Sequence, residues 1–454
     1  MRQLICYTVA TLLAALFWQG DKCVAQTKTN STVFNIQNEA VTEFLTSGDA
    51  TFSAQSGTYS QAFFDQPLSY RPDQPAAKEL TFSDPKATSA KVYLRNKGNA
   101  KNHGFIGEFC LKNGTGKCLL RNLVPDCTYQ YEVVANDGRK IASGSFQTTG
   151  QVRMIALEKG FNIRDLGGWK GLGGRTVRYE QIYRGGSLGG TDKDANMSDI
   201  TDADKAELLR IGIRAQLDLR AKTNAGRYAG ESSLHSYSAG MTTMLQSDFN
   251  NTMTDNGAYN EDATIISDIA WIIYELKNGR PVYFNCRQGA DRTGTIAFVI
   301  EGLLGCYEYT NAQGGNQMAL DYELTGFSQA NLVDNAKVST SCRPASEAYS
   351  NKHKLFRQLL DLEAAEPEIR LQNLQQKCYY YLNRYTSPKH QSGTPHIDRE
   401  DLDWFIAFML GMSRSEYAPY KQAWAQRGGD LKQIGEAYAN AINYYVKPQA
   451  NEKK

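Results

Sequence analysis

The stretch PVYFNCRQGADRTGT, residues 281–295, decides the fold. The apolar run Val282–Tyr283–Phe284 leads into Cys286. Arg292, Thr293 and Gly294 follow after a short polar loop, and then comes the apolar IAFVIEGLLG. A short apolar run, a loop with turn chemistry and a longer apolar segment read as strand, loop and helix. Backbone N–H groups that converge ahead of a helix N-terminus carry partial positive charge and suit a dianionic phosphate. Gly289 lets the backbone approach closely with no Cβ in the way. Arg292 can hold two phosphate oxygens with its planar fork. The same donors favour negative charge on the Cys286 sulfur, which suits a nucleophile. Thr293 can donate a hydrogen bond to that sulfur. One feature thus accounts for the cysteine, the glycine, the arginine and the threonine together.

Outward from this stretch, the chain alternates strands and helices from Val152. QIYRGGSL and IRAQLDLRA read as strands, and DADKAELLRIG between them as a helix with acidic residues in its first turn. DATIISDIAWIIYELKN places Ile265, Ile266, Ile269, Ile272, Ile273 and Leu276 at helical spacing, with Gly279 and Pro281 as stops. This order implies an α/β domain with a largely parallel sheet, assigned to residues 152–450. From Lys352 to Val446 the pattern is that of extra C-terminal helices, interrupted by a loop at Thr386–His396. Between residues 67 and 150 the runs are short, alternating and broken by turns at Asn113–Gly114 and Asp137–Gly138, as in a small β-sandwich. Residues 26–66 form an N-terminal segment with a polar start and a short helix in NIQNEAVTEFLTS.

The chain has 454 residues and a formal net charge of +2, so no broad basic footprint for nucleic acid exists. Its five histidines, His103, His235, His353, His390 and His396, are scattered. None pairs at metal-ligand spacing, and neither a metal nor another cofactor is expected. Residues 1–25 read as a signal peptide: Arg2 supplies positive charge, Leu4–Trp18 is apolar but short for a membrane span, and CVA ends at Ala25. The expected location is therefore exported, that is periplasmic, extracellular or on the cell surface, with no membrane span after cleavage. Removing Cys6 and Cys23 leaves an odd number of cysteines, so at least one thiol stays unpaired, with Cys286 the natural candidate. Cys110 and Cys118 flank a hairpin-like turn, where a local disulfide is one option.

NCRQGADRTG resembles the signature loop of cysteine-dependent tyrosine phosphatases, a cysteine and an arginine separated by five residues and followed by serine or threonine. The G-x-D-R-T-G pattern is similar to that of the bacterial tyrosine/serine phosphatase family. FNIRDLGGWKGLGGRTVRYEQIYRGGSL (Phe161 to Leu188), AQLDLRA and ALDYELTGFS resemble further segments of that family. LRNLVPDCTYQYEVVANDGRKIASGSFQTT resembles the second half of a fibronectin type III domain. The resemblances imply a fibronectin type III-like β-sandwich followed by an α/β tyrosine-phosphatase-like domain with added helices.

Carried onto this sequence, the resemblance implies Cys286 as nucleophile and Arg292 as the phosphoryl-binding group. Arg287, Gln288, Gly289, Ala290 and Asp291 would supply loop N–H groups, with Thr293 beside them. Asp291 is the general acid that the family implies; Asp248 and Asp255, ahead of the long helix, are the alternatives. The implied activity is metal-independent hydrolysis of phosphate monoesters, protein phosphotyrosine first. A catalytically dead phospho-binding module and an inositol-phosphate or small-molecule phosphatase are the alternatives. Two departures bear on this. Asn285 stands where the family has histidine, and Ala290 stands where it has a lysine that helps bind multiply phosphorylated inositols.

Other residues have plainer readings. Asp165 in RDLGG forms either a structural turn or a brace for the active-site loop, and Arg184 anchors a neighbouring loop. DKDANMSD from Asp192 lacks the glycine and glutamate of a calcium loop and reads as a solvated acidic loop. Tyr379, Tyr380 and Tyr381 read as packing and surface.

Overall fold

The computed structural model describes residues 32–46, 74–97, 103–188, 200–219, 243–246, 262–286, 289–309, 317–328, 332–333, 337–338, 373–383 and 397–426. The segment read as a signal peptide, the acidic loop at Asp192, Asp248, Asp255, Arg287, Gln288, Cys342 and the loop at Thr386–His396 lie outside these residues.

The chain begins with strand β1 (Thr32–Asn35) and helix α1 (Glu39–Thr46), followed by β2 (Lys78–Ser83), β3 (Ser89–Asn96), β4 (His103–Cys110), β5 (Thr115–Leu120), β6 (Thr128–Ala135) and β7 (Lys140–Thr149). Five of these strands form one sheet in the order β1-β7-β6-β3-β4, and β2 pairs with β5 in a second. Leu80, Phe82, Cys118 and Leu120 from the small sheet share one apolar core with Val92, Leu94, Tyr129, Val133 and Phe146 from the large one. Strand alternation does this: in β3 every second residue is buried.

Both expected turns form. Asn113 and Gly114 have φ of 52° and 73°, as a two-residue hairpin that matches strand twist requires. Gly138, with φ 87°, closes the other. The Asn113–Gly114 turn joins strands that belong to different sheets, and this bears on the disulfide. Cys110 is exposed at the end of β4, Cys118 points into the core from β5, and both are free thiols. The disulfide between them is therefore not made.

The second unit opens with a two-residue strand, β8 (Arg164–Asp165), and β9 (Ile182–Gly185). It continues with α2 (Asp202–Arg210), β10 (Ala215–Asp218), β11 (Thr243–Gln246), α3 (Asp262–Lys277), β12 (Val282–Asn285), α4 (Asp291–Leu303) and α5 (Gln317–Glu323). The helices α6 (Leu374–Asn383), α7 (Arg399–Met409) and α8 (Arg414–Gln426) follow. The sheet order is β11-β10-β12-β9-β8. Strands β11, β10, β12 and β9 run parallel, and only β8 is antiparallel. All four residues of β9, β10 and β12 are buried, as a sheet covered on both faces demands.

The apolar face of α3 is buried as its spacing predicts, and Gly279 ends the helix with φ +70°. Helix α2 carries a capping box between Thr201 and Asp204. Of the tyrosine triplet on α6, Tyr381 is buried, while the Tyr379 hydroxyl donates to Asp403 on α7 at 3.1 Å. Among the described residues no helix is long and apolar enough to cross a membrane.

The N-terminal segment divides differently from its sequence reading. Strand β1, at the end of the polar start, pairs in parallel with β7, whereas α1 packs on the second unit. Phe44 of α1 meets Phe327 edge to face, with ring centroids 5.3 Å apart. The two units are also joined by polar contacts. Asn122 donates to the Ala156 carbonyl (3.1 Å) and to Glu207 (2.5 Å), and accepts from Ala156 N (2.6 Å). Buried Arg153 donates to the Asn122 carbonyl at 2.8 Å.

Candidate active site

Strand β12 delivers Cys286 to the carboxyl edge of the parallel sheet, the edge at which open α/β sheets bind ligands. Cys286 is buried, at 3% exposure. Its neighbour Asn285 pairs with Asp218 in register across β12 and β10. Asn285 also has defined side-chain partners: Gln216 donates to its carbonyl oxygen at 2.9 Å, and its amide lies 3.4 Å from Asp218 Oδ1. The residue that departs from the family pattern is thus tied to the neighbouring strand by amide and carboxylate groups.

The loop after Cys286 turns at Gly289, with φ +73°. A Cβ there would lie 2.5 Å from the Gly185 carbonyl carbon, 2.6 Å from its oxygen and 2.8 Å from Asn162 Nδ2. The close approach expected of this glycine is therefore, in part, to the end of β9. Ala290 is the N-cap of α4 and offers no side-chain cap. Asp291 is the first residue of that helix.

Arg292 follows in the first turn, nearly buried, and its Nη1 donates to the Leu219 carbonyl at 3.1 Å. Leu219 follows β10, and its own N–H donates to Asn285 O at 2.8 Å. The guanidinium is thereby held at the sheet edge one strand from Cys286, and adjacent strands lie about 4.8 Å apart. Thr293 is fully buried, and its hydroxyl has no hydrogen-bond partner among the described residues, so the bond to the Cys286 sulfur anticipated for it is not made. A buried hydroxyl left unpaired costs about 1–3 kcal/mol, which a ligand oxygen would offset.

Behind the loop lies a buried charge cluster that sequence reasoning missed in all but one member. Arg184, at the end of β9, donates from Nη2 to the Gly289 carbonyl at 3.1 Å, so it does anchor the loop. Its Nη1 pairs with Asp321 on α5. Arg164 on β8 donates to Asp321 Oδ1 at 2.8 Å and to Asn162 Oδ1 at 2.6 Å. Burial pushes the Asp321 carboxyl up, but Arg164 and Arg184 outweigh it and hold the group below the usual carboxylate range. Glu301 on α4 hydrogen-bonds Asp321, and burial followed by the Asp321 charge keeps it well above that range.

Asp165 takes the structural-turn option. It accepts from Gly167 N at 2.9 Å, Glu180 N at 2.7 Å and Arg153 at 3.1 Å. The preceding residue, Arg164, joins the cluster behind the loop through Asp321 and Asn162. The signal available in the sequence was the basic residue in each of IRDLGG and IYRGG, at positions otherwise flanked by core residues.

Among the described residues, no three histidine, cysteine, aspartate or glutamate side chains converge as a metal site would require. No curated protein matches this chain. Residues 155–377, which contain the Cys286 loop, Arg292 and the charge cluster behind them, match the family model described as the tyrosine phosphatase family.

Proposed function

We propose that this chain is an exported phosphatase that hydrolyses phosphate monoesters, protein phosphotyrosine first, through a cysteinyl-phosphate intermediate and without a metal. The observation that carries the reading is the conjunction at one sheet edge of Cys286, the held Arg292 guanidinium and the Thr293 hydroxyl, which has no partner among the described residues. In the first step, the Cys286 sulfur attacks phosphorus as the phosphorus–oxygen ester bond breaks. Asp291 protonates the departing oxygen. Loop N–H groups from Arg287 to Asp291 and the Arg292 fork stabilise the equatorial oxygens, where charge spreads in the transition state. Water then attacks phosphorus, Asp291 takes its proton, the phosphorus–sulfur bond breaks and inorganic phosphate leaves.

The upstream strands read as a fibronectin type III-like β-sandwich that spaces or binds rather than reacts. Its support is the two-sheet core and Tyr129, whose hydroxyl accepts from the upstream Val124 N at 2.9 Å. Export rests on residues 1–25 as a cleaved signal.

The test is hydrolysis of a generic aryl phosphate by the chain from residue 26 onward, with and without chelator. Cys286→Ser abolishes turnover but keeps inorganic phosphate binding, and Arg292→Lys loses at least about 100-fold in kcat, on the scale of a lost transition-state donor. Full activity in either variant, or activity abolished by chelator and restored by a divalent ion, overturns the reading.

A further inference from the structure

Two carboxyl groups hydrogen-bonded to each other behind the Gly289 turn share a proton, because two adjacent buried carboxylates repel. Glu301 and Asp321 are such a pair, at 2% and 1% exposure. Asp321 is the acceptor, since both Arg164 and Arg184 donate to it. The proton therefore resides on Glu301, whose other oxygen, Oε1, is buried with no partner among the described residues. An ionised carboxylate in that position would leave a buried charge half solvated, whereas a neutral acid does not. With Glu301 neutral, two guanidinium groups face one carboxylate, and the cluster carries a net positive charge. Arg184 hands that charge to the candidate phosphate loop through its bond to the Gly289 carbonyl.

We propose that Glu301 is a positioning residue for the phosphate loop: as a neutral acid it donates to Asp321, leaving Arg184 free to hold Gly289 and keeping the ground behind the loop net positive. The inference rests on the phosphatase reading. The groups that act on Glu301 are Asp321 on α5, Arg184 on β9 and Arg164 on β8, and the buried Cys306 thiol lies beyond the end of α4. Lys377 and Cys378 are buried on α6, which packs on α4 so closely that a Cβ at Gly302 would meet Cys378 Sγ at 2.7 Å. Were Glu301 to ionise, the second carboxylate would compete with Asp321 for the two arginines and draw Arg184 off the loop.

The linkage has a definite sign. In the unfolded chain Glu301 titrates in the ordinary carboxylate range, and in the folded chain it titrates above it. Between the two, the folded state holds more protons, so its stability falls as pH rises. Glutamine keeps a donor at this position but carries no proton to lose.

The experiment compares wild type, Glu301→Gln and Glu301→Ala in aryl phosphate hydrolysis and in urea unfolding, both from about pH 5 to about pH 9. Alanine is expected to lower kcat about 10-fold or more, since a misplaced group far from the chemistry has effects of that order, with a smaller change in KM. Glutamine restores most of the kcat and flattens the decline of stability with pH. If alanine does not fold, the comparison of glutamine with wild type decides. Glutamine as impaired as alanine, or a glutamine stability profile that falls as wild type does, overturns the inference while leaving the phosphatase reading intact. A wild type that neither hydrolyses aryl phosphate nor binds inorganic phosphate ends both.

Discussion

Gly289→Ala isolates the geometry on which the loop depends. At φ +73° an alanine pays for left-handed backbone, about 1 kcal/mol. Its Cβ would also meet the Gly185 carbonyl carbon at 2.5 Å and Asn162 Nδ2 at 2.8 Å. Neither neighbour can give easily. Gly185 pairs in register with Asn285 across β9 and β12, and it is itself packed so closely that an added Cβ would lie 2.5 Å from the Tyr283 hydroxyl. Asn162 is held by Arg164 at 2.6 Å. Forced overlap of this kind costs about 1–3 kcal/mol, so the sum is about 2–4 kcal/mol. Gly279→Ala is the control: its φ is +70°, but no atom of the described residues lies within 4 Å of the added Cβ, so only the backbone cost of about 1 kcal/mol applies. Urea unfolding of both variants measures the difference, and calorimetry with inorganic phosphate measures the loop. The expected outcome is a larger loss for Gly289→Ala, accompanied by lost phosphate binding. Equal destabilisation of the two variants with phosphate binding intact would refute the account of the loop.

Further outcomes are expected elsewhere. Asp291→Asn slows aryl phosphates with poor leaving groups far more than those with good ones, because only the former need a proton on the departing oxygen. Equal slowing moves the role to Asp248 or Asp255, tested in the same way. Asn122→Ala removes the contacts to Ala156 and Glu207 and destabilises the chain by about 2–4 kcal/mol, read by urea unfolding. In the folded protein a thiol reagent labels exposed Cys110 quickly, while Cys118, pushed up to about 11 by burial, and Cys378, pushed up to about 12, react only on unfolding, as mass spectrometry of the labelled peptides will show.

What the sequence disclosed was local chemistry with a short physical reach. Val282–Phe284, the small loop and the helix from Asp291 are legible because apolar spacing, glycine and a helix start lie within a few turns of one another. The same holds for the Asn113–Gly114 turn and for the buried face of α3. The Cys110–Cys118 pair illustrates the limit: proximity in sequence suggested a bond, but the turn passes the chain from one sheet to the other. Strand β1 was hidden because TVFN has too few residues to show alternation and pairs with a strand more than a hundred residues later. The cluster of Arg164, Arg184, Glu301 and Asp321 was hidden for a related reason. Each member looks like an ordinary charged residue in its own element, and only the α/β topology brings β8, β9, α4 and α5 behind one loop.

The central claim is that Cys286 carries the phosphoryl group. The most direct measurement is to quench the protein with acid during turnover of an aryl phosphate and to find the phosphorylated peptide by mass spectrometry. The account predicts a phosphate on Cys286 in wild type, increased by Asp291→Asn under a substrate with a good leaving group and absent in Cys286→Ser. Turnover at the wild-type rate with no phosphate on Cys286, or with the phosphate on another residue, would contradict it.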